Sequence, residues 1–206
     1  EKSWVAAHDD VLTIRHTAAD GTVTVLKDSL KVLPREIIDA TFLSAAALDA
    51  FLAETVAQAK ADDVLYSVHL KATMMKVSDP IIFGHVVKAY FADVFAQYGE
   101  KLAAAGLNPN NGLGGILSGL SSVEGGDEIA AAFEKAVDEA ARLSYVNSDK
   151  GITNLHVPSD VIVDASMPAL VRNGGKLWGA DGGEADTLAV IPDSSYAGVY
   201  QAVIDD

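Results

Sequence analysis

Cysteine is absent from this chain of 206 residues. Its absence excludes a disulfide framework, a thiolate nucleophile and any metal site with cysteine ligands. A bound metal would therefore need oxygen or imidazole ligands. A chain without cysteine is compatible with a reducing cytosol, and we expect a cytoplasmic protein.

Basic residues are scarce. The chain has 15 lysines and arginines against 29 acidic residues, so its net charge is −14. Because phosphate binding needs clustered positive charge, this balance argues against nucleic-acid and anionic-membrane partners. A local cationic pocket stays compatible with it.

Long apolar runs are also missing. No run reaches the roughly 18 residues of a membrane-spanning helix, and no basic segment followed by an apolar stretch opens the chain. We therefore expect a soluble chain without a targeting segment. The chain begins at Glu1 rather than at a methionine, and its last helical pattern runs to Asp206 without a cap, so we expect both ends to be cuts in a longer polypeptide.

What is present is a succession of strand and helix patterns. Two β-rich runs, 11–17 and 22–27, flank the sequence Ala-Ala-Asp-Gly and predict a hairpin. Short apolar runs follow at 64–70, 161–163 and 187–191, each of them before a helical pattern. This order predicts an α/β fold: an open, mostly parallel sheet with crossover helices and an N-terminal antiparallel hairpin.

The helices have recognisable starts and ends. Ser44 is a suitable cap for a helix to about Lys60, and Asp79 followed by Pro80 predicts a capped helix that ends near Gly106. A further helix is predicted over 127–143. We expect one domain over 1–206, with a flexible connection rich in Gly and Asn at 107–126.

Candidate site residues lie where the predicted strands end. Lys71 and Lys76 occupy the turn after the apolar run 64–70, and Asp164 follows the run 161–163. Because the carboxyl ends of parallel strands share one edge of a sheet, Lys71 and Asp164 are predicted to share one site. There desolvation would lower the pKa of a lysine until it serves as an acid or base near neutrality.

The same residues have plainer interpretations. Asp164, whose carboxylate suits Mg²⁺ or Mn²⁺, is about as well explained as a helix cap, and Asp79 is better explained as one. Lys71 alone reads as a surface lysine, as does Lys76, which could instead neutralise a substrate carboxylate. His69 and His156 are predicted as core histidines with satisfied hydrogen bonds. The polar loop 147–156 could bind anionic groups or be a solvated turn.

No recognised nucleotide or hydrolase motif is present: G-x-G-x-x-G, the Walker A pattern, G-x-S-x-G and H-E-x-x-H are all missing. A self-contained nucleotide site is therefore not visible in the sequence.

Three long blocks resemble the monomeric type of NADP-dependent isocitrate dehydrogenase, and the resemblance spans nearly the whole chain. The blocks are HLKATMMKVSDPIIFGH at 69–85, VNSDKGITNLHVPSDVIVDASMP at 146–168 and AVIPDSSYAGVYQ at 189–201. The resemblance implies oxidation of isocitrate by hydride transfer to NADP, followed by decarboxylation to 2-oxoglutarate, with a divalent cation, Mg²⁺ or Mn²⁺. It further implies that Lys71 is the catalytic lysine and that Asp164 is one of the carboxylates holding the metal.

The resemblance also implies that much of the enzyme lies outside these residues. The family's chains are several times longer, and most groups that bind isocitrate, metal and NADP would come from the remaining portions of the polypeptide. Our leading hypothesis is therefore a segment of the large domain that is inactive alone. The alternatives are a stand-alone, non-catalytic module that self-associates through an exposed interdomain face, and a small-molecule or metal-binding protein without redox chemistry.

Overall fold

A computed structural model describes residues 2–206 of the chain. These residues form two compact units, one up to Leu43 and the other from Ser44 to Asp206.

The first unit consists of two antiparallel strand pairs. Strand β1 (Lys2–Val5) pairs with β4 (Ile37–Ala40), and β2 (Asp10–Thr17) pairs with β3 (Val23–Val32). The second pair is the predicted hairpin, which is confirmed. Its turn contains Gly21 at a φ of +86°, a conformation that glycine adopts without strain.

The strands of the second unit form small, mixed sheets. Strand β5 (Leu65–Val68) runs parallel to β9 (Glu184–Val190), and β8 (Lys176–Trp178) lies antiparallel on the other side of β9. A separate antiparallel pair joins β6 (Tyr145–Asn147) to β7 (Ile152–Thr153). The described residues therefore have a mixed α/β fold, and their sheets are small, with both parallel and antiparallel strands.

The predicted strand at 161–163 is wrong, and its shortness is the reason. Ile162 makes a single parallel bridge with Leu70, and the next residue, Val163, already begins a helix. The bridge nevertheless extends the line of parallel pairing beyond β5.

The described residues contain helices α1 to α7: Ala45–Ala61, Ser78–Tyr90, Ala92–Ala104, Gly112–Gly119, Gly126–Glu139, Val163–Arg172 and Ser194–Asp205. The cap of α1 is as predicted, since the backbone N–H of Ala47 donates to the Ser44 hydroxyl at 3.3 Å. The long helix predicted after Asp79 is instead two helices, α2 and α3, because the backbone leaves the helical conformation at Phe91, with φ −100° and ψ 36°.

The segment predicted as a flexible connection, 107–126, contains α4 and buries three of its apolar side chains, Leu113, Ile116 and Leu120. Gly112 makes this packing possible. Its φ is +81°, and a Cβ at this position would collide with the backbone carbonyl of His156. The segment is thus a packed part of the second unit.

The core of the second unit lies on both faces of β5. Tyr66, Val68 and Leu70 point to a large cluster that includes residues of α1, α2 and α5. Leu65 points the other way, to a smaller cluster with residues of α6 and α7. This alternation is the period of two expected of a strand, and it places Ser67 and His69 on the face of the smaller cluster.

No described helix is long and apolar enough to cross a membrane.

Candidate active site

Lys71 lies at the carboxyl end of β5, where the chain turns towards α2. The backbone N–H of Lys71 donates to Asp79 Oδ2 at 2.7 Å. The Lys71 carbonyl accepts from the N–H groups of Met74 and Met75, which closes the turn. Lys71 is therefore held through its backbone on both sides of its Cα.

Asp164 reaches the same place through the parallel bridge. Leu70 N–H donates to the Val161 carbonyl at 2.8 Å, and Val163 N–H donates to the Leu70 carbonyl at 2.7 Å. Because these two bonds align the residues that precede Lys71 and Asp164, the two side chains leave the same edge. Lys71 Nζ donates to both carboxylate oxygens of Asp164, at 2.8 and 2.6 Å. The predicted proximity of Lys71 and Asp164 is confirmed.

The ion pair changes the acid–base properties of both groups. Its hydrogen bond raises the pKa of Lys71, and the attraction of the Asp164 charge adds to this, while partial burial opposes it. The same bond lowers the pKa of Asp164. The sequence argument predicted a lowered pKa for Lys71 and is wrong for this arrangement, because it considered desolvation at the strand end without the carboxylate partner.

Neither aspartate acts as a helix cap. Helix α6 has Ile162 at its N-cap position and α2 has Val77, and neither cap makes a side-chain hydrogen bond. The carboxylate of Asp164 lies instead against Lys71. The carboxylate of Asp79 is fully buried and accepts from the Lys71 backbone and from the Tyr196 hydroxyl, at 3.0 Å for the latter. Both capping interpretations therefore fail, since each carboxylate has partners distant in the sequence.

Two tyrosines of α7 reach this site, and sequence reasoning missed them. Tyr196 donates to Asp79 Oδ2, and Tyr200 donates to Asp164 Oδ1 at 3.1 Å. Their spacing of four residues, which places both on one face of a helix, was the available signal. Helix α7 follows β9, which ends at the same edge as its parallel neighbour β5.

His69 is buried next to the site, with 1% of its surface exposed, so its predicted place in the core is confirmed, whereas the prediction that its hydrogen bonds are satisfied is wrong for one ring nitrogen. The Ser166 hydroxyl donates to the Ile162 carbonyl at 2.9 Å, so the His69 Nδ1, 2.6 Å from the same oxygen, carries a proton and donates to it. Within the described residues Nε2 has no partner. Burial lowers the pKa of His69 to about 4.

Two other histidines, His156 and His85, lie in different surroundings. His156 is partly buried, and its Nδ1 accepts from the Thr153 N–H at 2.9 Å. Burial lowers its pKa. His85 is 2.6 Å from Asp49, a residue of α1. Neither contacts the pair of Lys71 and Asp164.

The polar loop 147–156 uses several of its groups internally. The Asn154 side chain accepts from the Val68 N–H at 2.7 Å and donates to the Val68 carbonyl at 3.0 Å. It thereby occupies the place of a neighbouring strand beside β5. The Asn147 side chain accepts from the Lys150 N–H at 3.1 Å and caps a short 3-10 helix. That the loop binds anions stays a prediction.

The metal fits this site only in part. Asp164 offers carboxylate oxygens of the kind that Mg²⁺ and Mn²⁺ prefer, and about half of its side chain is exposed. However, residues 2–206 contain no group of three His, Asp or Glu side chains placed to hold a metal ion. One carboxylate, already paired with a lysine, does not make a metal site by itself.

A separate groove of about 500 Å³ lies between α1, α3 and α5, on a different part of the second unit. Its lining combines several alanines with aromatic and charged side chains, and neither Lys71 nor Asp164 is among them. The candidate chemistry is therefore not in this groove.

Comparison with known proteins assigns a family to the chain. A family model described as monomeric isocitrate dehydrogenase matches residues 1–206. Proteins named isocitrate dehydrogenase (NADP) from Corynebacterium glutamicum and Azotobacter vinelandii are 68% and 49% identical to it. One named isocitrate dehydrogenase (NADP) 2 from Mycobacterium tuberculosis is 43% identical. Each alignment covers 100% of this chain and 28% of the relative, so the chain spans little more than a quarter of these relatives. The chain belongs to the monomeric isocitrate dehydrogenase family.

Proposed function

We propose that this chain is a segment of an NADP-dependent isocitrate dehydrogenase and supplies two of its site residues, Lys71 and Asp164. The reaction would transfer a hydride from the hydroxyl carbon of isocitrate to NADP and release carbon dioxide to give 2-oxoglutarate. The observation that carries the proposal is the contact between Lys71 Nζ and both Asp164 oxygens at one edge of the parallel strands. Ligands bind at such edges in α/β proteins.

In this proposal Lys71 is the group that moves a proton at the reacting centre. As paired here it is protonated, because Asp164 raises its pKa, and it can donate a proton or a hydrogen bond to a substrate oxygen. To accept a proton from a hydroxyl, Lys71 must first lose that stabilisation. Any change that neutralises or withdraws the Asp164 carboxylate lowers the pKa of the lysine.

We also propose that Asp164 is one ligand of a Mg²⁺ or Mn²⁺ site completed by other parts of the polypeptide. In the same way, other parts of the polypeptide would supply the groups that bind NADP and most of those that bind isocitrate. This division agrees with the share of the relatives that the chain spans and with the absence of a three-residue metal cluster in residues 2–206. We therefore expect the 206-residue chain to have no turnover alone.

The experiment is NADPH formation, read by absorbance, from the full-length polypeptide that contains this segment, with isocitrate and Mn²⁺. Changing Lys71→Met should lower kcat by at least about 100-fold, the range of a lost acid–base group. The matched control is Lys88→Met, which removes an exposed lysine on α2 and should leave kcat unchanged. A Lys71→Met enzyme with the turnover of the control would contradict the proposal.

A further inference from the structure

Lys71 is connected to α7 at two points, its backbone and its amine. The backbone N–H donates to Asp79 Oδ2 at 2.7 Å, and the same oxygen accepts from the Tyr196 hydroxyl at 3.0 Å. The amine donates to Asp164, whose Oδ1 accepts from the Tyr200 hydroxyl at 3.1 Å. One helix therefore contacts both carboxylates that hold the lysine.

We propose that Tyr196 and Tyr200 are positioning residues for Lys71, Tyr196 acting through Asp79 on its backbone and Tyr200 acting through Asp164 on its amine. This inference rests on the proposed function, because it assigns the tyrosines a role in the alignment of the lysine that moves the proton.

The connection through Asp79 lies in the interior. The Asp79 side chain has no exposed surface, and its other oxygen accepts from the Ser78 hydroxyl at 3.1 Å. A carboxylate without access to water is stabilised by such donors, and removing one of them leaves it free to rotate or to recruit another. Burial raises the pKa of Tyr196, and Asp79 adds to this, so the hydroxyl stays protonated and acts as a donor.

The connection through Asp164 lies nearer to solvent. Asp164 Oδ1 receives both the Lys71 amine and the Tyr200 hydroxyl, so the two donors converge on one oxygen. The hydroxyl thus restricts the rotation of the carboxylate about its terminal bond, and the direction of the amine with it.

The geometry of α7 makes this double contact possible. Asp193 caps the helix by accepting from the Ser195 N–H at 2.9 Å, which fixes where its first turn begins. Tyr196 and Tyr200 are then one turn apart on one face. A small shift of α7 would move both hydroxyls together, so the alignment of Lys71 depends on the position of this helix.

The test uses the full-length polypeptide with the variants Tyr196→Phe and Tyr200→Phe, which keep the aromatic rings and remove only the hydroxyls. Tyr98→Phe is the matched control, because Tyr98 also donates to a carboxylate, Glu128 Oε1 at 2.8 Å, but on α3. We expect kcat to fall by about tenfold or more in each site variant, the size of a small misplacement of a reacting group. KM for isocitrate should change little, because alignment of the proton-transfer group acts in the transition state.

A merely structural role would predict other results. If Tyr196 acts through Asp79, then in an Asp79→Asn background Tyr196→Phe should lower kcat no further, whereas independent effects would multiply. Circular dichroism and thermal unfolding of each variant establish that the kcat loss occurs in folded enzyme. If Tyr196→Phe does not fold, Asp79→Asn tests the connection through Asp79 in its place. The connection through Asp164 is tested separately by Tyr200→Phe.

The variants distinguish a failure of this inference from a failure of the proposed function. Loss of turnover in Lys71→Met together with site variants indistinguishable from Tyr98→Phe would overturn this inference and leave the proposed function in place. Full turnover in Lys71→Met would overturn both. A fall in kcat that is fully additive with Asp79→Asn would overturn the route through Asp79.

Discussion

His69 makes a sharp prediction about the pH dependence of stability. Its ring is buried on the β5 face that packs against α6 and α7, its Nδ1 donates to Ser166, and within residues 2–206 its Nε2 has no partner. Protonation of Nε2 in the folded protein would therefore place an uncompensated charge in the interior. For this reason the folded pKa is about 4, against 6.5 for an ordinary histidine.

The magnitude follows from proton linkage. Between pH 6.5 and pH 4 the unfolded chain binds a proton at His69 that the folded chain does not. The free energy of unfolding therefore falls as the pH falls through this window, and below the folded pKa His69 causes no further loss. From pH 7 to pH 5 we expect His69 alone to lower the free energy of unfolding by about 2 kcal/mol.

The assay is urea unfolding of the 206-residue chain at pH 7, 6 and 5, monitored by tryptophan fluorescence. The chain has two tryptophans, Trp4 in the first unit and Trp178 in the second. A Trp4→Phe background therefore makes the signal specific for the unit that contains His69. The perturbation is His69→Asn in this background, since asparagine can place a polar atom near the position of Nδ1 and does not titrate.

We expect His69→Asn to lose stability at pH 7, through the cavity that it creates, but to show a shallower decline towards pH 5 by about 2 kcal/mol. Ser166→Ala is the control. It removes the hydroxyl that accepts from Nδ1 but keeps the buried ring, and because burial is what lowers the pKa, it should keep the steep decline. Equal declines in His69→Asn and in the parent would refute the reasoning, because His69 would then be hydrated or paired when protonated.

Three further substitutions test the packing of the second unit by urea unfolding. Asn154→Ala leaves the N–H and the carbonyl of Val68 without their partners. It should lower the free energy of unfolding by about 2–4 kcal/mol. A loss under about 1 kcal/mol would mean that water replaces the amide. Gly112→Ala adds a Cβ that collides with the His156 carbonyl, at a residue whose φ is +81°. It should lower the free energy of unfolding by more than about 1 kcal/mol, and unchanged stability would contradict the packing of α4. Phe133→Ala removes a fully buried ring stacked edge-on against two others and should cost about 3–5 kcal/mol; a loss below about 2 kcal/mol would indicate collapse of the cavity.

The local patterns of the sequence predicted several elements well. The hairpin formed because its strands are rich in β-branched residues and its turn contains Gly21, and α1 began at Ser44 because a serine hydroxyl satisfies a free N–H of the first turn. The rule that parallel strands end at one edge predicted the proximity of Lys71 and Asp164, although a single parallel bridge at Ile162, and not a strand, brings Asp164 there. These features depend on near neighbours or on a single topological rule, so the sequence alone carries the information.

Other features depended on which distant groups meet. The helix breaks at Phe91, although the apolar stripe in the sequence continues past this residue. The run 161–163 makes one bridge where a strand was predicted. An apolar pattern states that residues are buried but not which partner buries them, so it specified neither feature. The helical packing of 107–126 also depends on a distant partner, because Gly112 allows a close approach to the backbone of His156.

The sequence by itself thus determined the family, by three long blocks of resemblance, and the two residues that we propose for the site. Only the tertiary structure decided their chemical state. Asp164 lies 93 positions from Lys71 and raises its pKa, and Tyr196 lies 117 positions from Asp79 and donates to its buried carboxylate. A pKa and a hydrogen bond depend on distances of a few ångströms between atoms, and no local pattern of residues specifies such distances across the chain.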